Sequence, residues 1–469
     1  MGYSFSQLHS YSYSIIALQE LNLIYFYPRV YWNCACLSVE ASGSTDENSK
    51  NNSIDYGEIS KAIYKMKQNN IEIAPPSINE ADIDFAPDEK NNCIYFGFGG
   101  IAGINASIAQ QIIQNRPYKN FDDFYEKNTF QNSLITTSKY IQLIKAGCFD
   151  EFCRDRVKVM KRFFVLSNQK PNQLTMANLP SMKSFMKLPK EIFAPYNFYK
   201  YITDKKFLYG NHPKFKSKKI YWLDPKAEKY FYNNCEKLLN NGVDYWEEND
   251  KILIVDKSLE KLFKPTFERI KEYINTKEFI NEYYKSLLKK KFNEAIPNQD
   301  PNHWSFDAVS YYSTNHEMYN INFDKYNLNH FQDIPQEPIF IERTNGDRSW
   351  KQFELYAICG VVIARNDNHH FFSILTPDNE VVNCKMNDGA YAHYKAQLSE
   401  IVDGEKIVLE KSWLNRGTML IISGYRRDDD FVCKKYKNSV FQHQLQKIET
   451  IYENGDAEIQ TERYNQGEE

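Results

Sequence analysis

Four glycines crowd the run Gly97-Phe98-Gly99-Gly100-Ile101-Ala102-Gly103-Ile104-Asn105, directly ahead of a helix-forming stretch that opens near Ala106-Ser107. Positions without side chains let backbone N–H groups come close to an anion. The following helix adds its own unpaired N–H groups and the positive end of its dipole. The chemistry this suits is a phosphate seat that reads no base sequence. It is not a nucleotide P-loop, because no Gly-Lys-Ser/Thr follows. Taken alone, such a run is also what an ordinary tight turn between helices contains, so its surroundings must decide.

A second group lies in the last third of the chain. Phe371, Phe372, Tyr391, Tyr394 and Trp413 are interleaved with Arg365, Lys385, Lys411, Arg416, Arg426 and Arg427. Aromatic rings beside cations suit single-stranded nucleic acid, whose bases stack while its phosphates are neutralised. A small barrel must also fill its interior, which claims most of these rings. The Arg426-Arg427 turn, followed by three aspartates, equally suits a solvated hairpin tip. A basic aromatic stretch from Lys205 to Tyr221 suits either DNA backbone or solvent. The nine cysteines are scattered. Cys34 and Cys36 form a C-x-C and no pair is C-x-x-C, which reads as reduced thiols in a cytoplasm rather than a metal or redox site.

The elements that must hold these groups follow from spacing. Residues 10–37 read as buried, aromatic-rich helix, with an apolar run at 15–31 too short and too polar to span a membrane. Residues 41–55 are polar loop. Ile59, Ile63 and Met66 share a helical face, ended by Asn69-Asn70 and Pro75-Pro76. Ile104, Ile108 and Ile112 line one helix; Ile141 and Ile144 line another, stopped by Gly147. Leu259 to Lys291 is periodic and helical. From Lys351 the period becomes two. Strands are expected over 351–364, 371–376, 380–386, 418–425 and 431–434, with a helix over 390–398 before the last pair. Three strands, a helix and two strands is the order of an OB barrel. The tail beyond about Thr450 is acidic and reads as frayed.

The length of 469 residues suggests two to four domains, and the apolar (42%) and charged (25%) fractions are those of globular chains. The net charge of −3 excludes a uniformly basic nucleic-acid glue, so phosphate contact must be local.

The run Ile73-Ala-Pro-Pro-Ser-Ile-Asn-Glu-Ala-Asp-Ile-Asp-Phe85, then Ile94 through the glycine turn to Ile104, then Arg116-Pro-Tyr-Lys-Asn-Phe-Asp-Asp-Phe124, then Leu143-Ile-Lys-Ala-Gly-Cys-Phe-Asp150 resembles the bacterial DNA polymerase III α subunit, the C-family replicative polymerases, in wording and in order. Gly2-Tyr3-Ser4-Phe5-Ser6-Gln7-Leu8-His9, with Tyr13 and then Tyr27-Pro28, resembles the family's fingers motif. Phe306 to Met318, with His316, resembles the stretch before its OB domain. The likeness is close over 1–150, moderate over 303–440 and poor over 154–302.

The resemblance implies a multidomain α + β chain. Partial polymerase fingers (1–92) and a helix-hairpin-helix module (93–153) precede a divergent connecting region (154–340), a five-stranded OB-fold barrel (341–448) and an acidic tail (449–469). It implies that Gly97, Gly99, Gly100, Gly103 and Asn105 hold DNA backbone, and that Arg365, Phe371, Lys385, Lys411, Arg416 and Arg426 hold single strand. Asn105 stands where the family has glycine, and asparagine is the next most tolerant of a left-handed backbone. Gln7 and His9 fall near the incoming nucleotide or template, with Gln7 where a lysine is usual. For His316, packing or capping fits better than metal binding, since no partners stand at ligand spacing. Gln173-Leu174-Thr175-Met176 falls near the family's sliding-clamp peptide but lacks its closing aromatic or leucine.

The family's palm aspartates are not among these motifs; Asp82-Ile83-Asp84 matches a loop. The chain is therefore expected to bind primer-template and single-stranded DNA without polymerising alone. Mg²⁺ is expected only with a palm on another chain, and no other cofactor is implied. It would be one product of a split gene, as some phages and mobile elements carry, or a fragment of a longer reading frame, in a bacterial or host cytoplasm. The competing readings are a stand-alone DNA-binding accessory protein and, more remotely, an RNA-binding OB protein.

Overall fold

The computed structural model describes residues 7–41, 56–204, 219–240, 244–298, 300–313, 315–345, 348–402, 405–437 and 439–463. Two compact units result, 1–163 with 298–469, and 164–297. The polar loop within 42–55 and the basic stretch within 205–218 lie outside the described residues.

The larger unit opens with α1 (Gln7–Phe26) and α2 (Arg29–Ala41), broken at Pro28, which cannot donate to the helix ladder. The expectation of burial over 10–37 fails for α1. Tyr11, Leu18, Leu21, Tyr25 and Phe26 are each 59–83% exposed, whereas Val30, Cys34 and Leu37 of α2 are buried. Large apolar side chains stand on every side of α1, between Ser10, Ser14, Gln19, Glu20 and Asn22, so no one face is polar. Such a helix calls for surroundings on several sides, and among the described residues it has few. Helix α3 (Tyr56–Gln68) buries Ile59, Ile63 and Met66 as their spacing predicts, and Asn70 turns the chain at φ +56°.

A small sheet follows, with Cys93–Tyr95 central, Glu72–Ala74 parallel to it and Ala86–Asp88 antiparallel. Then come α4 (Ala106–Gln114), α5 (Phe121–Asn128) and α6 (Thr137–Ala146). Gly147 closes α6 at φ +86°, as its place in the sequence requires.

The carboxy-terminal half of this unit is a closed five-stranded barrel of OB type. Its strands are Tyr356–Asn366, Phe371–Leu375, Val381–Lys385, Met419–Arg427 and Asp430–Cys433, with helix Asp388–Lys395 after the third. The first pairs with the second and fourth, the second with the third, and the fourth with the fifth. Third and fifth close the ring in parallel. Ile358, Val362, Phe372, Ile374, Tyr391, Trp413, Leu420 and Phe431 fill the interior. A second core covers the outside, where Phe306, Tyr312 and Met318 pack on Cys359, Val361, Leu375 and Ile421.

The tail differs from expectation. Leu445–Ile451 and Ala457–Gln460 extend the sheet beyond the fourth strand, and Ile448, Ile451 and Ile459 join the outer core. Three spaced isoleucines in an acidic stretch suffice to anchor it. Arg463 is buried on Glu410.

The smaller unit occupies the middle of the region read as a connector. A three-stranded sheet has Lys251–Val255 between Ile220–Trp222 and Tyr245–Glu248. Lys190–Asp204, Asp256–Ile274 and Lys277–Ala295 are its long helices. The periodic stretch from Leu259 is thus two helices, divided where Thr276 caps the second through Phe279 N–H. Leu174 of the clamp-like peptide is buried in this unit's core. Among the described residues no helix is long and apolar enough to cross a membrane, and all nine cysteines are free.

Candidate nucleic-acid interface

The four resembling stretches are one another's hydrogen-bond partners. Phe98 N–H donates to Asp82 O (2.9 Å) and Gly99 N–H to Ile83 O (2.8 Å), so Asp82-Ile83-Asp84 backs the glycine turn. The Asn79 side chain pairs with the backbone of Tyr118 in both directions, at 2.8 and 2.9 Å. The Arg116 guanidinium donates to Ile78 O and Ala81 O and lies over the Phe98 ring. Ile78 N–H reaches Cys148 O, just past the end of α6.

This separates the roles of the glycines. A Cβ on Gly97 would sit 2.4 Å from the Asp84 carbonyl carbon, and one on Gly100 would enter the Phe96 and Phe85 rings. Gly99 and Gly100 spend their N–H groups on Ile83 O and Gly97 O. These three serve close packing, and Gly97 and Gly100 are buried. Gly103 is different: it is exposed, holds φ +75°, and has the Lys139 Nζ 2.8 Å from where its Cβ would stand. Asn105 is also exposed, but its backbone is extended (φ −95°), not left-handed. It caps α4, its Oδ1 accepting from Ile108 N–H at 3.0 Å. The asparagine thus serves the helix through its side chain rather than through a left-handed backbone. Ala106 and Ser107 occupy the first two helical positions, whose N–H groups have no intrahelical acceptor, and both are exposed. One open surface thus presents Gly103, the start of α4 and the Lys139 ammonium, an arrangement able to hold a phosphate. Nothing in the sequence marks Lys139; only the folding of α6 against the turn brings it there.

The barrel candidates divide. Arg365, Phe371 and Lys385 come together at one end of the first three strands, where Phe371 is the direct partner of both Asn366 and Lys385. Arg365 and Lys385 are exposed and Phe371 half-buried. Lys385 pairs with Asp430 at 2.5 Å, and Arg365 touches Asn415 and Asp367. His370 and Lys395 join this end through Asp388 and Asp367, and no local pattern marks either. Lys395 and the Tyr391 hydroxyl hold the Asp367 carboxyl below its ordinary range. Lys411 is exposed elsewhere, with its carbonyl taken by Arg463.

Arg416 and Arg426 point inward. Arg416 donates to Phe306 O (2.6 Å) and Ser310 Oγ (2.8 Å) and lies over the Phe306 ring. Arg426 donates to Phe331 O and Ile334 O and lies over Phe331. Phe372, Tyr391, Tyr394 and Trp413 are core. Gln7 and His9 fall in the first turns of α1, with side chains outside the described residues.

Helix Pro301–Val309 joins the two halves of this unit. Ala308 O accepts from Ala102 N–H of the glycine turn (2.8 Å), while Phe306 O accepts from Arg416 of the barrel. His316 continues the link, its Nε2 at 3.2 Å from Leu375 O and its Nδ1 accepting from Met318 N–H. Burial pushes its pKa down to about 3, so it is neutral and structural. Among the described residues no three His, Cys, Asp or Glu side chains are grouped to hold a metal ion.

Residues 70–159 match the helix-hairpin-helix motif family. The chain is 35% identical over 475 residues, 98% of its length, to the probable DNA polymerase YorL of Bacillus subtilis (strain 168), covering 35% of that protein. The DNA-directed DNA polymerase of Bacillus phage SPbeta matches to the same extent. The DNA polymerase III subunit alpha of Campylobacter jejuni is 31% identical over 156 residues, 32% of this chain and 12% of that protein. The chain spans about a third of the length of the first two relatives.

Proposed function

We propose, on the premise that this chain is a DNA polymerase III α-like region carrying a helix-hairpin-helix module, that it positions primer-template and single-stranded template for a palm outside the described residues. The observation that carries this is the convergence of Gly103, the α4 N-terminus and Lys139 on one exposed surface of the matched module. A seat built from backbone N–H groups and one ammonium holds phosphate without reading bases. The end of the barrel bearing Arg365, Phe371 and Lys385 takes unpaired template beyond it. Helix Pro301–Val309 fixes the two sites relative to each other.

The partner is a polymerase region bearing the catalytic carboxylates, and α1 is the surface it covers. The relatives carry about twice as much additional polypeptide as this chain spans. Two-metal nucleotidyl transfer belongs to that region; binding and alignment belong to this one.

Titrating the chain with labelled primer-template across a salt series tests the reading. Affinity that falls linearly in log–log with salt, and that does not depend on sequence, is expected. Absence of binding at low salt overturns it. A free-standing accessory protein would bind as tightly without any polymerase partner as with one, which separates the two readings.

A further inference from the structure

Strands Phe340–Asn345 and Arg348–Phe353 form a two-stranded sheet of their own ahead of the barrel, paired to no other strand among the described residues. The register sets Arg343 opposite Trp350, Ile341 opposite Gln352, and Phe340 opposite Phe353. Alternation therefore puts Ile341, Arg343, Trp350 and Gln352 on one face. Trp350 is 50% exposed and Ile341 59% exposed there, and Arg343 Nε donates to Gln352 Oε1 at 3.0 Å.

The other face is anchored. Phe353 stacks on Tyr425 of the fourth barrel strand, with centroids 4.3 Å apart and planes at 8°. Phe353 N–H also donates to the Tyr436 hydroxyl at 2.7 Å. Lys351 lies 4.0 Å over the Phe340 ring and Lys434 lies 4.7 Å over Phe353, with Arg427 near Tyr425. The hairpin is thus held at its root, and the anchoring does not use Trp350. A large ring left half in water beside a guanidinium has unspent stacking capacity. The cations of the hairpin and its root (Arg343, Lys351, Arg427, Lys434) outnumber the one facing carboxylate, Glu342, and favour a polyanion over an apolar protein surface.

We propose that this hairpin is a guide arm for single-stranded DNA, with an unpaired base stacked on Trp350 and a flanking phosphate beside Arg343. The proposal rests on the reading that the chain binds DNA, and adds a contact ahead of the barrel itself.

The test is fluorescence anisotropy of the full chain with labelled oligo(dT) and, separately, with blunt duplex. Trp350→Ala is expected to weaken oligo(dT) binding about 5- to 100-fold, the range of one lost base stack, with duplex binding unchanged. Trp350→Phe should recover most of the loss. Wild-type oligo(dT) affinity in Trp350→Ala overturns the arm and leaves the wider reading standing. A wild-type chain that binds neither DNA overturns both. Should Trp350→Ala abolish self-association while leaving oligo(dT) binding intact, the arm is a contact between copies and the proposal fails.

Discussion

Lys139 and Gly103 meet from different elements, and each constrains the other. A side chain at 103 would have to adopt φ +75° and displace the ammonium. Lys139→Ala should weaken duplex binding by a similar factor for every sequence and reduce the log–log salt slope by about 1, as expected for one lost phosphate contact. An unchanged slope would remove Lys139 from the interface. His316 gives a prediction of a different kind. Its folded pKa lies below its unfolded value of about 6.5, so the unfolded chain takes up the proton first. The stability it contributes is complete above about pH 6.5 and is lost as pH falls toward about 3. The loss is about 1.4 kcal/mol per pH unit. Chemical denaturation of wild type and His316→Gln should therefore show a stability difference that narrows by about 2 kcal/mol from pH 6.5 to 5. A difference that stays constant means the imidazole does not titrate as buried.

Among the elements, the last strands act as a strap. Gln460 Nε2 donates to Glu410 Oε1 at 2.8 Å, Trp413 Nε1 to the same oxygen at 2.9 Å, and Arg463 Nε to Oε2 at 2.9 Å. Arg463 also serves the carbonyls of His393, Ala396 and Lys411, closing the barrel beneath helix Asp388–Lys395. Both charges are buried, so removing one leaves the other uncompensated. Arg463→Met should cost about 3–5 kcal/mol in thermal or denaturant unfolding, and adding Glu410→Met should recover much of it. A loss below 1 kcal/mol (~) would show that the strap does not bind the barrel. The later barrel strands were legible, because alternation and turn residues mark them. The strand expected over 351–364 is two: Arg348–Phe353 belongs to the hairpin and Tyr356–Asn366 to the barrel, since the alternation of Phe353, Leu355 and Ala357 runs on across the break at 354–355. The guide-arm hairpin carries an Asn345-Gly346 signal of the same kind. It is easily passed over because its exposed face holds Ile341 and Trp350 and so lacks the usual polar alternation.

At the scale of the whole chain, α1 is the feature that the described residues do not account for. A helix with large apolar side chains on every side is stable inside a larger body. Leu18→Asp with Leu21→Asp should leave the melting temperature of the isolated chain within a degree or two (~), since both side chains already face water. The same pair should abolish pull-down of a co-expressed palm-bearing polymerase region. Undiminished pull-down would place that partner elsewhere. The glycine turn and the barrel were both readable in sequence, but their connection was not. Helix Pro301–Val309 lies about two hundred residues from the turn that it joins, and no local pattern announces the bond from Ala102 to Ala308.

Strong local signatures set out the glycine turn with its helix, the stop at Gly147, and the barrel strands from Phe371 on. Periodicity and turn chemistry act between near neighbours, so they survive in a single chain read end to end. Tertiary structure alone decided which groups face outward. It left Gly103 exposed and buried Gly97 and Gly100. It turned Arg416 and Arg426 onto backbone carbonyls and brought Lys139 to the seat. A cation's type fixes what it can bind, but its direction is set by packing between elements far apart in sequence.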